Sequence, residues 1–391
     1  MDSEISQDTV TPNVRRPLRI ALVHSFYSSR LPSGENVVVE SQAQALRDAG
    51  HEVLVLGRHT DELEVLPGYG ARAATRVMTG RGGDPTRHLE AFAPDVVHVQ
   101  NLFPNIGTQW LSQWHGPVVA TVHNFRSVCA NGLLFRDGHV CTQCPDGDRW
   151  AALRHSCYRG SRIATVPLVA RNGRGIAGDP LLRRADRIVA LSTYSAELLV
   201  NFGLDQARLS TIPNFVSEVT DSVLAPPEVP RWVFVGRLTQ EKGFARLVEA
   251  WPDGIALDVI GVGPERGAAE GTGIRILGAL PRDELRRRLP HYTGLILPSE
   301  LIEGGIATTV VEAFEAGIPV IARPDTSAGR FIGETGAGLV WSERQSLASA
   351  LAEVASAGMP LRRQARVVYE QHFTESRWCS AMERTYQLTL V

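Results

Sequence analysis

What most constrains this chain is a rhythm. Short, unbroken apolar runs alternate with amphipathic stretches, and the whole alternation occurs twice. The first run, LRIALVHSF (18–26), shows none of the in–out alternation of a half-exposed strand, so it reads as a strand buried on both faces of a parallel sheet. A loop with Pro32 and Gly34 then opens a helix whose apolar positions recur at three and four and which Gly50 stops. HEVLVLG (51–57) follows as the next strand, which completes a βαβ unit. DVVHVQ (95–100), GPVVATVHN (116–124), RIVALS (187–192) and STIP (210–213) continue the pattern. A polar, proline-rich stretch (216–230) interrupts it as a linker, and RWVFVG starts it again.

A chain of 391 residues is more than one core usually holds. The expected fold class is therefore α/β, with two Rossmann-like domains over 18–215 and 231–373 facing a central cleft. Residues 1–17 read as a disordered leader, and 374–391 as a terminal helix that crosses back to the first domain. Hydrophobic residues make up 43% and charged residues 21%, the proportions of a globular protein in water. A net charge of −2 offers no field for nucleic acid. No run is long and apolar enough to span a bilayer, and the polar start lacks a signal-peptide core, so a cytoplasmic location is expected.

Lys242, in GRLTQEKG, is the single lysine among 40 basic residues. Arginine has replaced lysine everywhere else, so this position either needs a compact ammonium rather than a planar fork or keeps its lysine by chance, and the neighbourhood decides. It lies with Arg237 in the loop after a predicted strand, at the cleft. A fork and a point charge together suit a diphosphate. Further on, EGGIATTVVEAFEAG enters a helix through glycines, Gly305 among them. It offers the first-turn amides of Ala307, Thr308 and Thr309 to an anion. VIGVGPERG has Arg266 where a dinucleotide fingerprint needs its third glycine, and no phosphate-binding loop of the Gly-Lys-Ser/Thr type occurs. A dehydrogenase and a P-loop NTPase are thereby disfavoured.

These residues together resemble a glycosyltransferase family 4 enzyme of GT-B fold. VFVGRLTQEKGFARLVEAW, DVIGVGPE and TTVVEAFEAGIPVIA look like its nucleotide-sugar half. GENVVVESQAQALRDAGHEVLVLG, DVVHVQN, TVHN and LSTYSAELLVNFGLDQARLSTIPNFV resemble its acceptor half. The likeness implies a retaining transfer from a nucleoside-diphosphate sugar to a saccharide, lipid-linked or small-molecule hydroxyl, with no catalytic metal. By resemblance, Arg237 and Lys242 hold the diphosphate, and Glu312 binds the donor ribose. His123 lies near the transferred sugar, and Gly34 and Glu35 belong to a loop that closes over the donor. The family's glutamate pair is separated by seven residues. Eight back from Glu312 is Gly304, so Glu303 is taken as the first glutamate across one extra loop residue, with Glu300, or loss of the glutamate's function, as the alternatives. A catalytically silent nucleotide-binding partner subunit and a sugar-nucleotide epimerase are the rival functions.

Four of the five cysteines cluster, at Cys129, Cys141, Cys144 and Cys157, with a central C-x2-C. A closed four-thiolate site for structural zinc is the expectation, against free thiols, disulfides or another metal. DGD (146–148) inside this module reads as a turn. From Arg149 to Arg174 there are six arginines and no acid. That stretch reads as a solvated helix face whose apolar positions pack inward, with a peripheral membrane contact through 149–174 as the alternative.

Overall fold

The computed structural model describes residues 16–30, 34–342 and 345–390. Most of the expected leader and the Pro32 loop lie outside these residues. Within the span assigned to the leader, Arg16 is placed, paired with Asp95 at 2.8 Å.

The continuous apolar runs are the strands; those inside each sheet are buried because helices cover both faces, and those at the edges are only partly covered. In the first half these are β1 (Arg19–Phe26), β2 (Glu52–His59), β3 (Val96–Asn101) and β4 (Val118–Val122). A two-stranded hairpin, β5 (Phe135–Arg136) and β6 (His139–Val140), precedes β7 (Arg187–Ala190) and β8 (Leu209–Thr211). The second half contains β9 (Arg231–Val235), β10 (Ala256–Ile260), β11 (Arg275–Gly278), β12 (Gly294–Leu297), β13 (Val320–Ala322) and β14 (Gly338–Val340). Each half forms one six-stranded parallel sheet.

The two sheets are not wound alike. The second has the order β11-β10-β9-β12-β13-β14, the Rossmann arrangement, whereas the first runs β2-β1-β3-β4-β7-β8. Winding therefore reverses between β9 and β12 in one half and between β1 and β3 in the other. Ligands of open α/β sheets lodge where the winding reverses, beyond the carboxyl ends of the strands.

Among the contacts that tie the halves together, two segments stand out. Leu191, just past β7, forms a parallel bridge with Gly305 of the second half. The helix Glu375–Leu390 returns to the first half and buries Trp378, Cys379, Met382 and Tyr386 in the core that contains Ile20, Leu22 and Val119. Tyr386 Oη lies 2.8 Å from His98 Nδ1, deep under the first sheet.

The GVG after β10 is explained by packing. A Cβ at Gly261 would stand 1.8 Å from the Gly236 carbonyl oxygen, and one at Gly263 2.3 Å from that of Leu238. These glycines let the loop after β10 rest directly on the backbone of the loop after β9. No third glycine is called for.

Candidate active site

Lys242 ends the short turn Gln240–Lys242 beyond β9. Gly243 follows at φ 69°, where a Cβ would stand 2.4 Å from the Pro298 carbonyl oxygen. The turn is thus pressed against the chain leaving β12, and this brings Lys242 to Glu303 at the reversal between β9 and β12. The Lys242 ammonium is ion-paired with Glu303 Oε1, and both side chains are largely buried. Arg237 is more open and pairs with Glu241 at 3.1 Å. Glu300 is engaged by Arg246 and approached by Arg323 at 4.0 Å, so Glu303, not Glu300, is the carboxylate that meets Lys242.

The glycine loop after Glu303 is wedged between the halves. A Cβ at Gly304 would lie 2.3 Å from the carbonyl oxygen of His123, across the cleft. Gly304→Ala should therefore hold the halves apart and lower kcat/KM at least tenfold while leaving the secondary structure intact. Kinetics with circular dichroism checks this, and unchanged turnover would show that the contact is dispensable.

The helix that follows begins at Thr308. Ala307 is its N-cap, with extended ψ, so its amide precedes the first turn instead of belonging to it. The helix Gly34–Asp48 starts directly opposite, with the Cβ position of Gly34 3.7 Å from Thr308 Oγ1. Two helix N-termini, each the positive end of a dipole, converge on one spot.

The first-half wall is polar and buried. His123 Nε2 is 2.7 Å from Gln100 Oε1, Gln100 Nε2 donates to Gln42 Oε1 at 2.9 Å, and His98 Nε2 is 2.7 Å from Thr121 Oγ1. Burial lowers the pKa of His123 and of His98 to about 3, and that of His24 to about 4. Glu35 goes the other way. Burial raises its carboxyl to about 7, against the pull of Asn101, Arg126 and Asn124, and its Oε1 has no hydrogen-bond partner among the described residues.

A histidine held neutral in the fold but free to charge when unfolded makes unfolding take up a proton below the ordinary pKa of 6.5. Its contribution to stability is thus lost as pH falls. Between pH 7 and 5, His98 alone should cost about 2 kcal/mol. Urea midpoints of wild type and His98→Gln at the two pH values check this: the wild type should lose more stability on acidification than the variant.

Glu312 is 3% exposed and accepts from Arg282 Nε at 2.7 Å. Burial pushes its carboxyl up, and the Arg282 guanidinium opposes this. One turn on, Glu315 is buried with five partners: the amides of Val219 and Thr220 at 2.8 and 2.7 Å, the Thr220 hydroxyl, Arg286 and Arg366. It clamps the start of the linker onto the second half. Sequence reading passed over this residue. Two acids three apart on an otherwise apolar helix were the available signal, because a carboxylate is rarely buried without a partner.

The four clustered cysteines are free thiols that line one small cavity of about 10 Å³. Burial raises the pKa of Cys144 to about 11 and also raises that of Cys157. Among the described residues, no three His, Cys, Asp or Glu side chains stand close enough to hold a metal ion as they are. DGD belongs to a run of turns, with Asp148 engaged by Arg154.

The fold thus brings Lys242, Glu303, Gly304, Gly305, Thr308, Gly34 and His123 to one cleft. Glu312 reaches its position from inside the same helix, Arg237 stands at the rim, and the cysteine module lies apart. The module touches the second half where Arg246 Nη2 donates to the Gly138 carbonyl at 3.2 Å.

Known proteins give the same assignment. The model of Glycosyltransferase Family 4 matches residues 32–218, and that of Glycosyl transferases group 1 matches residues 229–357. A protein of Bacillus subtilis (strain 168) named for a role in teichuronic acid biosynthesis, TuaC, is 22% identical over 329 residues, 78% of this chain and 80% of its own. Among solved structures, Anabaena Alr3699/HepE in complex with UDP superposes with a TM-score of 0.59 at 16% identity, covering 95% of this chain and all of that one. Sucrose-phosphate synthase from Thermosynechococcus elongatus gives a TM-score of 0.65 at 17% identity over 95% and 98%. With one model matched to each half and a two-sheet fold to hold them, the chain belongs to the GT-B glycosyltransferases of the family 4 type.

Proposed function

We propose that this glycosyltransferase moves a sugar from a nucleoside-diphosphate donor to a hydroxyl acceptor with retention of anomeric configuration. The observation that carries the reading is the placing of Lys242 and Glu303 at the β9/β12 reversal, beside two facing helix N-termini. An ammonium beside the positive ends of two helix dipoles suits an anion such as a diphosphate. HepE, a protein of the same fold bound to UDP, supports it.

In this reading Lys242 leaves Glu303 for the diphosphate when donor binds, and Arg237 swings in from the rim. Both then stabilise the charge that grows as the bond between C1 and the leaving phosphate oxygen breaks. The acceptor oxygen takes C1, and its proton ends on the departing diphosphate or in solvent. Glu303, released from Lys242, is free to accept from the sugar hydroxyls, and His123 lines the sugar's other side. Glu312 shares a carboxylate oxygen with the ribose hydroxyls while Arg282 keeps the other. Gly34 and Glu35 close the donor from the first half.

Calorimetry with UDP, GDP, dTDP and ADP, followed by turnover of the matching nucleotide sugar with and without a hydroxyl acceptor, tests this. One nucleotide should bind selectively, and nucleoside diphosphate should be released faster when acceptor is present. Conversion of the donor to an isomer without acceptor would make the chain an epimerase, and binding without turnover would make it a silent subunit.

We also propose that the four thiols close on a structural zinc ion. Soft thiolates in a closed tetrahedron suit zinc and leave no open position for chemistry. The single cavity lined by all four supports this. Protein purified without added metal should carry about one zinc per chain by mass spectrometry, and Cys141→Ser should lose it. Metal-free, fully stable protein would refute the site.

A further inference from the structure

The helix Arg162–Asn172 divides its residues sharply. Thr165, Leu168 and Val169 face inward and join Phe103, Ala130 and Ala152 in a small core. On the opposite side a stripe at three- and four-residue spacing is exposed: Arg159, Arg162, Ile163, Val166, Ala170 and Arg174. Ile163 is 86% exposed and Val166 45%. Trp150, 53% exposed, stands at the head of the short helix packed beside this one, next to Arg149. The inward packing expected from the sequence thus holds for half the apolar positions and fails for the rest.

A stripe that only met water would carry acids among its arginines and no isoleucine at its centre. Here, among the described residues, Arg162 and Arg174 make no ion pair or hydrogen bond, and Arg159 lies over the Tyr158 ring at 5.3 Å. The neighbouring acids are taken up elsewhere, Asp148 by Arg154 and Asp179 by Arg171 at 3.3 Å, off the exposed stripe. Cations flanking large apolar side chains and a tryptophan form the composition of a surface that lies in a lipid interface. A soluble polyanion would use the arginines and leave Ile163 and Val166 in water.

We propose that this face docks the enzyme on a bilayer of anionic lipids, with Ile163, Val166 and Trp150 entering the headgroup layer and the arginines meeting lipid phosphates. The inference is independent of the donor site. Flotation with vesicles of phosphatidylcholine alone and of phosphatidylcholine with phosphatidylglycerol at 7:3 tests it. The protein should float with the anionic vesicles only and be released as salt rises. Ile163→Asp with Val166→Asp should weaken binding at least tenfold. Arg159→Ser with Arg162→Ser should weaken it about tenfold to thirtyfold and flatten the salt dependence. Thermal melting that matches the wild type shows that each variant is folded. Failure of wild type to float with anionic vesicles would overturn the proposal, as would equal flotation of the aspartate variant. So would displacement by soluble polyglutamate that the aspartate variant resists no less than wild type, which would mark the face as a polyanion site.

Discussion

Lys242→Ala should lower kcat/KM for the nucleotide sugar by about two to three orders of magnitude, the usual effect of removing one charged donor from a developing anion. Two effects combine. The ammonium is lost, and Glu303, now without its counter-ion, presents a bare carboxylate to an anionic donor. Removing one partner of a close charge pair costs more than the pair contributes, because the remaining charge is left uncompensated. Lys242→Ala combined with Glu303→Gln should therefore regain part of the nucleotide affinity lost by Lys242→Ala alone, although not the turnover. Lys242→Arg is the finer test. The turn is held against Pro298 by Gly243, and both Lys242 and Glu303 are largely buried, so a bulkier cation has little freedom there. A guanidinium should keep the charge but misplace it, weakening nucleotide binding measurably by calorimetry. If Lys242→Arg binds and turns over like wild type, the chain's single lysine has no role that arginine cannot fill.

Glu315→Ala should destabilise the protein by about 3–5 kcal/mol, as expected when a buried, multiply paired carboxylate is removed. Arg286 and Arg366 would lose their shared anion, and the amides of Val219 and Thr220 would lose their acceptor. Glu315→Gln keeps the shape and some hydrogen bonds but not the charge, so it should fall between. The urea midpoint reads the effect, and an unchanged midpoint in Glu315→Ala would mean that the linker start is held by other contacts. Because Glu315 lies one turn beyond Glu312, the same helix joins the proposed ribose contact to the clamp on the interdomain linker.

The strands were legible because a parallel sheet covered on both faces demands continuous apolar runs, and few other structures do. RWVFV and GPVVATV stand in the structure as β9 and β4, close to where the runs predict them. The glycine entry to the helix at Thr308 was legible for a similar reason, since helix starts leave a signature in the chain itself. What escaped was set by long-range partners. Nothing local at Lys242 announces Glu303, sixty-one positions on, and nothing at Glu315 announces Val219. Helical periodicity showed that the stretch after Arg162 would bury one face. It left open which of two apolar faces, one with Leu168 and Val169 and the other with Ile163 and Val166, would turn inward.

The return of the last helix to the first sheet bears on how the protein is made. Trp378, Met382 and Tyr386 complete a core whose other members, such as Ile20, Leu46 and Val96, leave the ribosome hundreds of residues earlier. Throughout synthesis of the second half, the first half waits with one flank of its core bare and His98 without the Tyr386 hydroxyl. A chain cut short anywhere before residue 378 keeps that apolar flank for good. Premature stops before residue 378 should therefore yield sticky, rapidly degraded protein and not a working two-domain enzyme.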